Sequence, residues 1–143
     1  MPLKISTRGQ IDPFIVMDVM REANALVAAG EDIVHLEVGQ PGTPAPAKVR
    51  EAATAAIRDE RLGYTDALGV PALRERIAAH YDNMYGVDVA PERIVVTTGS
   101  SGGFLLAFLA AFDVGDRVAL AAPGYPAYRN ILSALGVEPV VVE

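Results

Sequence analysis

The stretch Ile94–Phe112, IVVTTGSSGGFLLAFLAAF, passes from β-branched residues through a Gly/Ser cluster into an unbroken apolar run. β-Branched residues favour a strand and the apolar run a buried helix, so the segment reads as a strand turning directly into a helix. One glycine closes such a turn, yet Gly99, Ser100, Ser101, Gly102 and Gly103 are all small. Glycine inside a helix costs about 1 kcal/mol against alanine, so two in the first turn call for a compensating role. Helix N-terminal N–H groups, with the Ser100 and Ser101 hydroxyls, make an anion cradle suited to a phosphate. A serine N-cap with glycines for close helix–strand packing accounts for the same residues.

Downstream of this junction the alternation continues. Arg117–Ala121 reads as a strand, Tyr125–Leu135 as a helix and Pro139–Val142 as a strand, while the opening segment supplies a strand over Ile94–Thr98 and a helix over Ser101–Phe112. Two βα crossovers predict a parallel, doubly wound sheet whose ligands bind at the carboxyl ends of the strands. The loops TGSSGG and APGYPAY both fall there.

Upstream, Asp12 and Pro13 form an N-cap and N1 pair, and apolar residues then recur at helical spacing as far as Gly30. Ile33–Val38 reads as a strand, GQPGTPAP as a loop, and Lys48 to about Arg61 as a helix. The segment LGYTDALGVP interrupts, and Pro71 opens a helix with Leu73, Ile77, Tyr81 and Met84 on one face before Gly86 ends it. The fold class is therefore α/β: an N-terminal helical and loop segment, then the first part of a doubly wound, mostly parallel sheet. The chain stops at Glu143 directly after an apolar strand, which reads as a fragment of a longer protein.

Composition narrows the function. The 143 residues are 51% hydrophobic and 21% charged, as in a globular domain with a core of its own. Twelve basic against eighteen acidic residues, scattered along the chain, argue against a nucleic-acid or anionic membrane surface. No cysteine is present, so disulfides and thiolate metal sites are excluded. The N-terminus MPLKISTRGQ has no signal-peptide apolar core, and Phe104–Phe112 is too short to span a bilayer. A cytoplasmic protein is the expectation.

The ligand is narrowed by elimination. No lysine follows the glycines, against a Walker-type loop, and no G-x-G-x-x-G pattern or strand-end acid supports a dinucleotide. A compact phosphate without a ribose fits better. Tyr125, between Gly124 and Pro126, presents a rigid aromatic face suited to a flat ring, or packs with Tyr128 on the following helix. His35, beside Ile33 and Glu37 on one strand face, and His80 lack ligand spacing and read as structural, so no metal site is expected. The acids Asp59, Glu60, Asp113 and Asp116 read as solvated helix ends, and no catalytic triad is evident.

From about Asp12 onward the chain resembles the N-terminal part of class I/II aminotransferases, the fold-type I enzymes that use pyridoxal 5'-phosphate. The ordered series LEVGQPGTPAP, GYTDALGVPALRERIAAHY, YGVDVAPERIVVTTGSSGG and FDVGDRVALAAPGYPAYRNIL carries the resemblance. It implies that Gly99, Ser100 and Ser101 hold the cofactor phosphate and that Tyr125 stacks on its ring. It further implies that Tyr64 reaches the phosphate of a partner subunit in a homodimer, and that Gly39 lies beside the substrate carboxylate. On this resemblance residues 1–45 form the N-terminal helix, strand and substrate-loop segment, and 46–143 the first part of the pyridoxal-phosphate-binding large domain.

The implied reaction is transfer of an amino group from an amino acid to a 2-oxo acid. A lyase, deaminase or decarboxylase of the same fold, or a non-catalytic cofactor-sensing module, is the alternative. The family's cofactor-binding lysine, pyridinium aspartate and late arginine have no match: Lys4 and Lys48 are the only lysines, and both lie outside any matching motif. No catalytic residue is assigned to this chain, and alone it is expected to be inactive.

Overall fold

The computed structural model describes residues 3–142. Along the chain lie α1 (Ile15–Ala28), α2 (Ala47–Asp59), α3 (Pro71–Tyr85), α4 (Gly99–Ala111), β1 (Arg117–Ala121), α5 (Pro126–Leu135) and β2 (Glu138–Val142). Short 3-10 turns occupy Thr7–Gln10 and Pro91–Arg93. Two units are formed, one from residues up to Gly39 together with those from Thr98 onward, the other from Gln40–Thr97.

In the first unit β1 and β2 pair in parallel, Arg117 opposite Glu138 and Ala121 opposite Val142, with α5 as the crossover. The Arg117 Nε donates to Glu138 Oε1 at 3.2 Å, so the two residues that open the register also form an ion pair. Beyond the ladder, Glu138 N donates to Asp116 O and Gly115 N to Gly136 O, both at 2.8 Å, which extends the pairing into the preceding turns. The buried residues lie here: Leu132 at 0% exposure, Val137 at 3% and Ala127 at 8%. The core is thus the contact of α5 with the sheet, and it is smaller than the composition led us to expect.

The second unit holds α2 and α3, and α3 packs on the 3-10 turn at Pro91–Arg93. Arg74 on α3 donates from Nε to Gly69 O at 3.3 Å and from Nη1 to Pro91 O at 3.2 Å, pinning two loops to one helix face. Its expected apolar face is only partly covered, with Leu73 45%, Tyr81 43% and Met84 64% exposed.

Three local expectations are corrected. Segments 33–38 and 94–98 form no strand among the described residues, and the chain bends at 37–38 and 98. A strand is stabilised by its neighbour's ladder, and here the described pairing is limited to β1 with β2. Val96 N instead donates to Leu68 O at 2.9 Å, a single bond to a loop. The first helix opens at Ile15 with Phe14 as N-cap, not at Asp12. The Asp12 carbonyl accepts from Asn130 Nδ2 at 2.8 Å, a tertiary bond that holds this residue outside the helix.

Candidate functional site

The site is built where two helices begin. Gly99 opens α4 with φ +76°, a left-handed conformation that glycine adopts without a Cβ penalty. Space around it is open: a Cβ built on Gly99 would meet nothing within 4 Å. Ser100 and Ser101 follow in the first turn, both exposed, and that turn carries no acidic side chain. The first-turn N–H groups of a helix lack intrahelical acceptors and lie at the positive end of the macrodipole. The local field therefore favours an anion, and no carboxylate of the turn opposes it.

Tyr125 is the N-cap of α5, positioned by the turn that leaves β1. Gly124 makes that turn possible, since a Cβ there would lie 2.5 Å from the Ala121 carbonyl oxygen. Phe14 meets the Tyr125 ring at a centroid distance of 6.3 Å and an interplanar angle of 77°, and Tyr128 does so at 5.3 Å and 77°. Both neighbours approach edge to face, and Tyr125 remains 48% exposed. A flat ligand thus has aromatic surface to cover.

The two starts are joined through packed rings. Phe104, in the second turn of α4, lies edge to face against Tyr128, in the first turn of α5, with centroids 4.6 Å apart. Phe104 lies five residues after Gly99 and Tyr128 three residues after Tyr125, so the contact joins the opening turns of the two helices. At the start of α5 lies a cleft of about 650 Å³, walled by Phe14, Leu120, Tyr125 and Tyr128, with Asp12, Arg129 and Asn130 among its polar residues; Gly99, Ser100 and Ser101 do not line it. Its lining is mainly apolar with a few polar groups, the usual chemistry of a small-molecule site.

Of the other expected residues, Gly39 closes the first part of this unit after an irregular run in which His35 Nδ1 and Glu37 Oε1 lie 2.7 Å apart. That hydrogen bond holds the Glu37 carboxyl below its ordinary range. Tyr64 belongs to the other unit, in the loop before α3, with its ring wholly exposed. Two of the acids read as solvated helix ends have local partners: Asp59 accepts from both Arg58 Nε and Nη2, and Asp116 Oδ2 accepts from Asp113 N at 2.8 Å. No group of three or more His, Cys, Asp or Glu able to hold a metal lies among the described residues. None of their helices is long and apolar enough to cross a membrane.

Sequence reasoning missed Phe14 and Asn130. Phe14 reads as one more apolar residue of a helix, and its place beside Tyr125 follows from the tertiary fold. Asn130 left a faint signal, a poor helix former in the interior of α5.

The groups are of the kind a phosphate-bearing aromatic cofactor needs: a helix start with two hydroxyls and no acid in its first turn, and, on the neighbouring helix, a half-exposed tyrosine at a strand's carboxyl end.

Comparison with known proteins bears on this arrangement. The family model "Aminotransferase class I and II" matches residues 31–143. The valine–pyruvate aminotransferase of Mycobacterium tuberculosis (strain ATCC 25618 / H37Rv) is 55% identical over 97% of this chain and 36% of its own length. A crystal structure of an aminotransferase from Mycobacterium tuberculosis superimposes with a TM-score of 0.93 at 54% identity, covering 99% of this chain and 36% of that one. The aspartate aminotransferase of Thermus thermophilus with maleate gives 0.92 at 31% identity, covering 99% and 37%. These neighbours have the fold-type I architecture, so the expected α/β class stands, with the two-stranded parallel sheet as part of an incomplete large domain. The chain spans about a third of the length of the relatives that it matches.

Proposed function

Because the chain belongs to the class I and II aminotransferase family, we propose that it is the cofactor-cradling N-terminal part of an enzyme moving an amino group from an amino acid to a 2-oxo acid. The cofactor in this reading is pyridoxal 5'-phosphate. The observation that supports the proposal is the Phe104–Tyr128 contact, which joins the helix that opens with Gly99–Ser101 to the helix capped by Tyr125.

When bound, the cofactor supplies an electron sink at the amino acid's α-carbon, and the protein supplies binding and orientation. Ser100 and Ser101 would hold the phosphate through hydroxyl and backbone N–H donors, with Gly99 setting the turn that aims them. Tyr125 would supply the aromatic face for the ring. The apolar wall of Phe14, Leu120 and Tyr128 excludes water from one side of the cleft, which strengthens the polar contacts made inside it. In this reading Gly39 would let the substrate carboxylate approach the backbone and Tyr64 would reach the phosphate held by a second subunit, which requires a homodimer. Neither Lys4 nor Lys48 lines the cleft, and no residue of this chain is assigned the proton transfer.

The test is cofactor affinity in the complete protein that carries this chain. Replacing Ser100 and Ser101 together with alanine should weaken pyridoxal 5'-phosphate binding by about 1–3 kcal/mol, from lost hydrogen bonds to a charged group. Titration followed by absorbance measures it, and an unchanged dissociation constant would make the turn structural. Product analysis tests the reaction: transamination yields the 2-oxo acid only when an amino acceptor is present.

A further inference from the structure

Asn130 and Tyr125 lie on the same helix start, and the segment Asp12–Phe14 touches both. Asn130 Nδ2 donates to the Asp12 carbonyl at 2.8 Å across 118 residues of sequence. Two residues later the Phe14 ring meets Tyr125 edge to face, at a centroid distance of 6.3 Å.

The spacings match. Five helical residues from Tyr125 to Asn130 rise about 7.5 Å. Two residues of chain from Asp12 to Phe14 span at most about 7 Å. The arm therefore runs back along the first turns of α5, fastened at one end and bearing on Tyr125 at the other. Asn130 is also a costly choice inside a helix, where alanine or leucine would favour the fold more.

We infer that Asn130 is a positioning residue: by holding the Asp12 carbonyl it sets Phe14 edge-on against Tyr125 and fixes the tilt of the ring that lies on the cofactor. The inference rests on the cofactor cradle proposed above. A tyrosine ring braced on one edge by Phe14 and on another by Tyr128 has little freedom to rotate, and its face is presented before the ligand arrives. Such preorganisation lowers the ordering cost of binding. An Asn130 that served only to anchor α1 would leave the Tyr125 face unaffected.

The experiment uses the complete protein, first freed of cofactor and then titrated with pyridoxal 5'-phosphate. Asn130→Asp keeps the size and shape of the side chain but replaces the N–H donor with an oxygen facing a carbonyl. Asn130→Ala removes the group, and Phe14→Leu removes the brace while leaving the hydrogen bond. Hydrogen exchange of the Phe14–Met17 amides in the cofactor-free protein should speed up in both Asn130 variants.

Cofactor affinity should fall about three- to tenfold in all three variants, the range expected when one hydrogen bond or one ring contact is lost. Adding Asn130→Asp to Phe14→Leu should weaken binding little further, because both act through one contact. If exchange speeds up while affinity is unchanged, Asn130 is an anchor only and the inference falls. Unchanged exchange would overturn it as well, since the tie would not hold the arm in solution. Should Asn130→Ala fail to fold, the isosteric Asn130→Asp and the Phe14→Leu variant still decide. Tyr125→Leu separates the two readings: unchanged affinity there overturns the cradle itself, whereas weakened affinity with inert Asn130 variants overturns only the tie.

Discussion

The rings of Phe104 and Tyr128 meet edge to face, 4.6 Å between centroids and 68° between planes, and this contact locks the start of α4 to the start of α5. Phe108 and then Phe112 continue the row along α4, at centroid distances of 5.8 and 5.9 Å. The apolar run that first suggested a buried helix thus presents an aromatic edge to α5.

Phe104→Ala in the complete protein should therefore lower stability by about 1–3 kcal/mol, from lost apolar burial and the ring contact. Chemical denaturation measures the loss. The same variant should weaken cofactor binding, because the two helix starts are no longer held in register.

Leu132, fully buried under α5, is a test of the core alone. Leu132→Ala should cost about 2–5 kcal/mol. Its effect on pyridoxal 5'-phosphate affinity, measured on the folded fraction, should be small, since Leu132 does not line the cleft.

Gly124→Ala places a Cβ 2.5 Å from the Ala121 carbonyl oxygen, and backbone has to move to relieve it. Overpacking of this kind costs about 1–3 kcal/mol. The displaced segment is the one that carries Tyr125, so lower melting temperature and weaker cofactor binding should appear together in thermal denaturation and titration.

Glu37 supplies a pH-dependent element. Its carboxyl lies below the ordinary value of 4.5, first because of the hydrogen bond from His35 and also through backbone donors. A carboxyl depressed in the folded state contributes stability above its unfolded pKa and loses that contribution as pH falls through the folded value. His35→Ala should raise the Glu37 midpoint toward 4.5, and a carbon-detected NMR titration of the side-chain carboxyl reads the shift.

Much of the architecture was legible in the sequence because its signals are local. The helix ends at Gly86 and Gly136, the parallel β1–α5–β2 unit and the small-residue opening of α4 each follow from a few adjacent residues. The strands read at 33–38 and 94–98 failed for the opposite reason: β-branched composition shows what suits a sheet, but a strand forms only where a neighbour offers a ladder.

The sequence by itself determined the α/β class, the parallel order of β1 and β2, the small turn at Gly99–Ser101 and the rigid tyrosine after Gly124. Only the tertiary structure decided that Phe14 braces Tyr125, that Asn130 draws Asp12 out of the first helix, and that Phe104 against Tyr128 brings the two helix starts together. Propensity and periodicity act over one or two turns of chain, whereas these contacts join residues far apart in sequence, where packing and hydrogen-bond geometry select the partners.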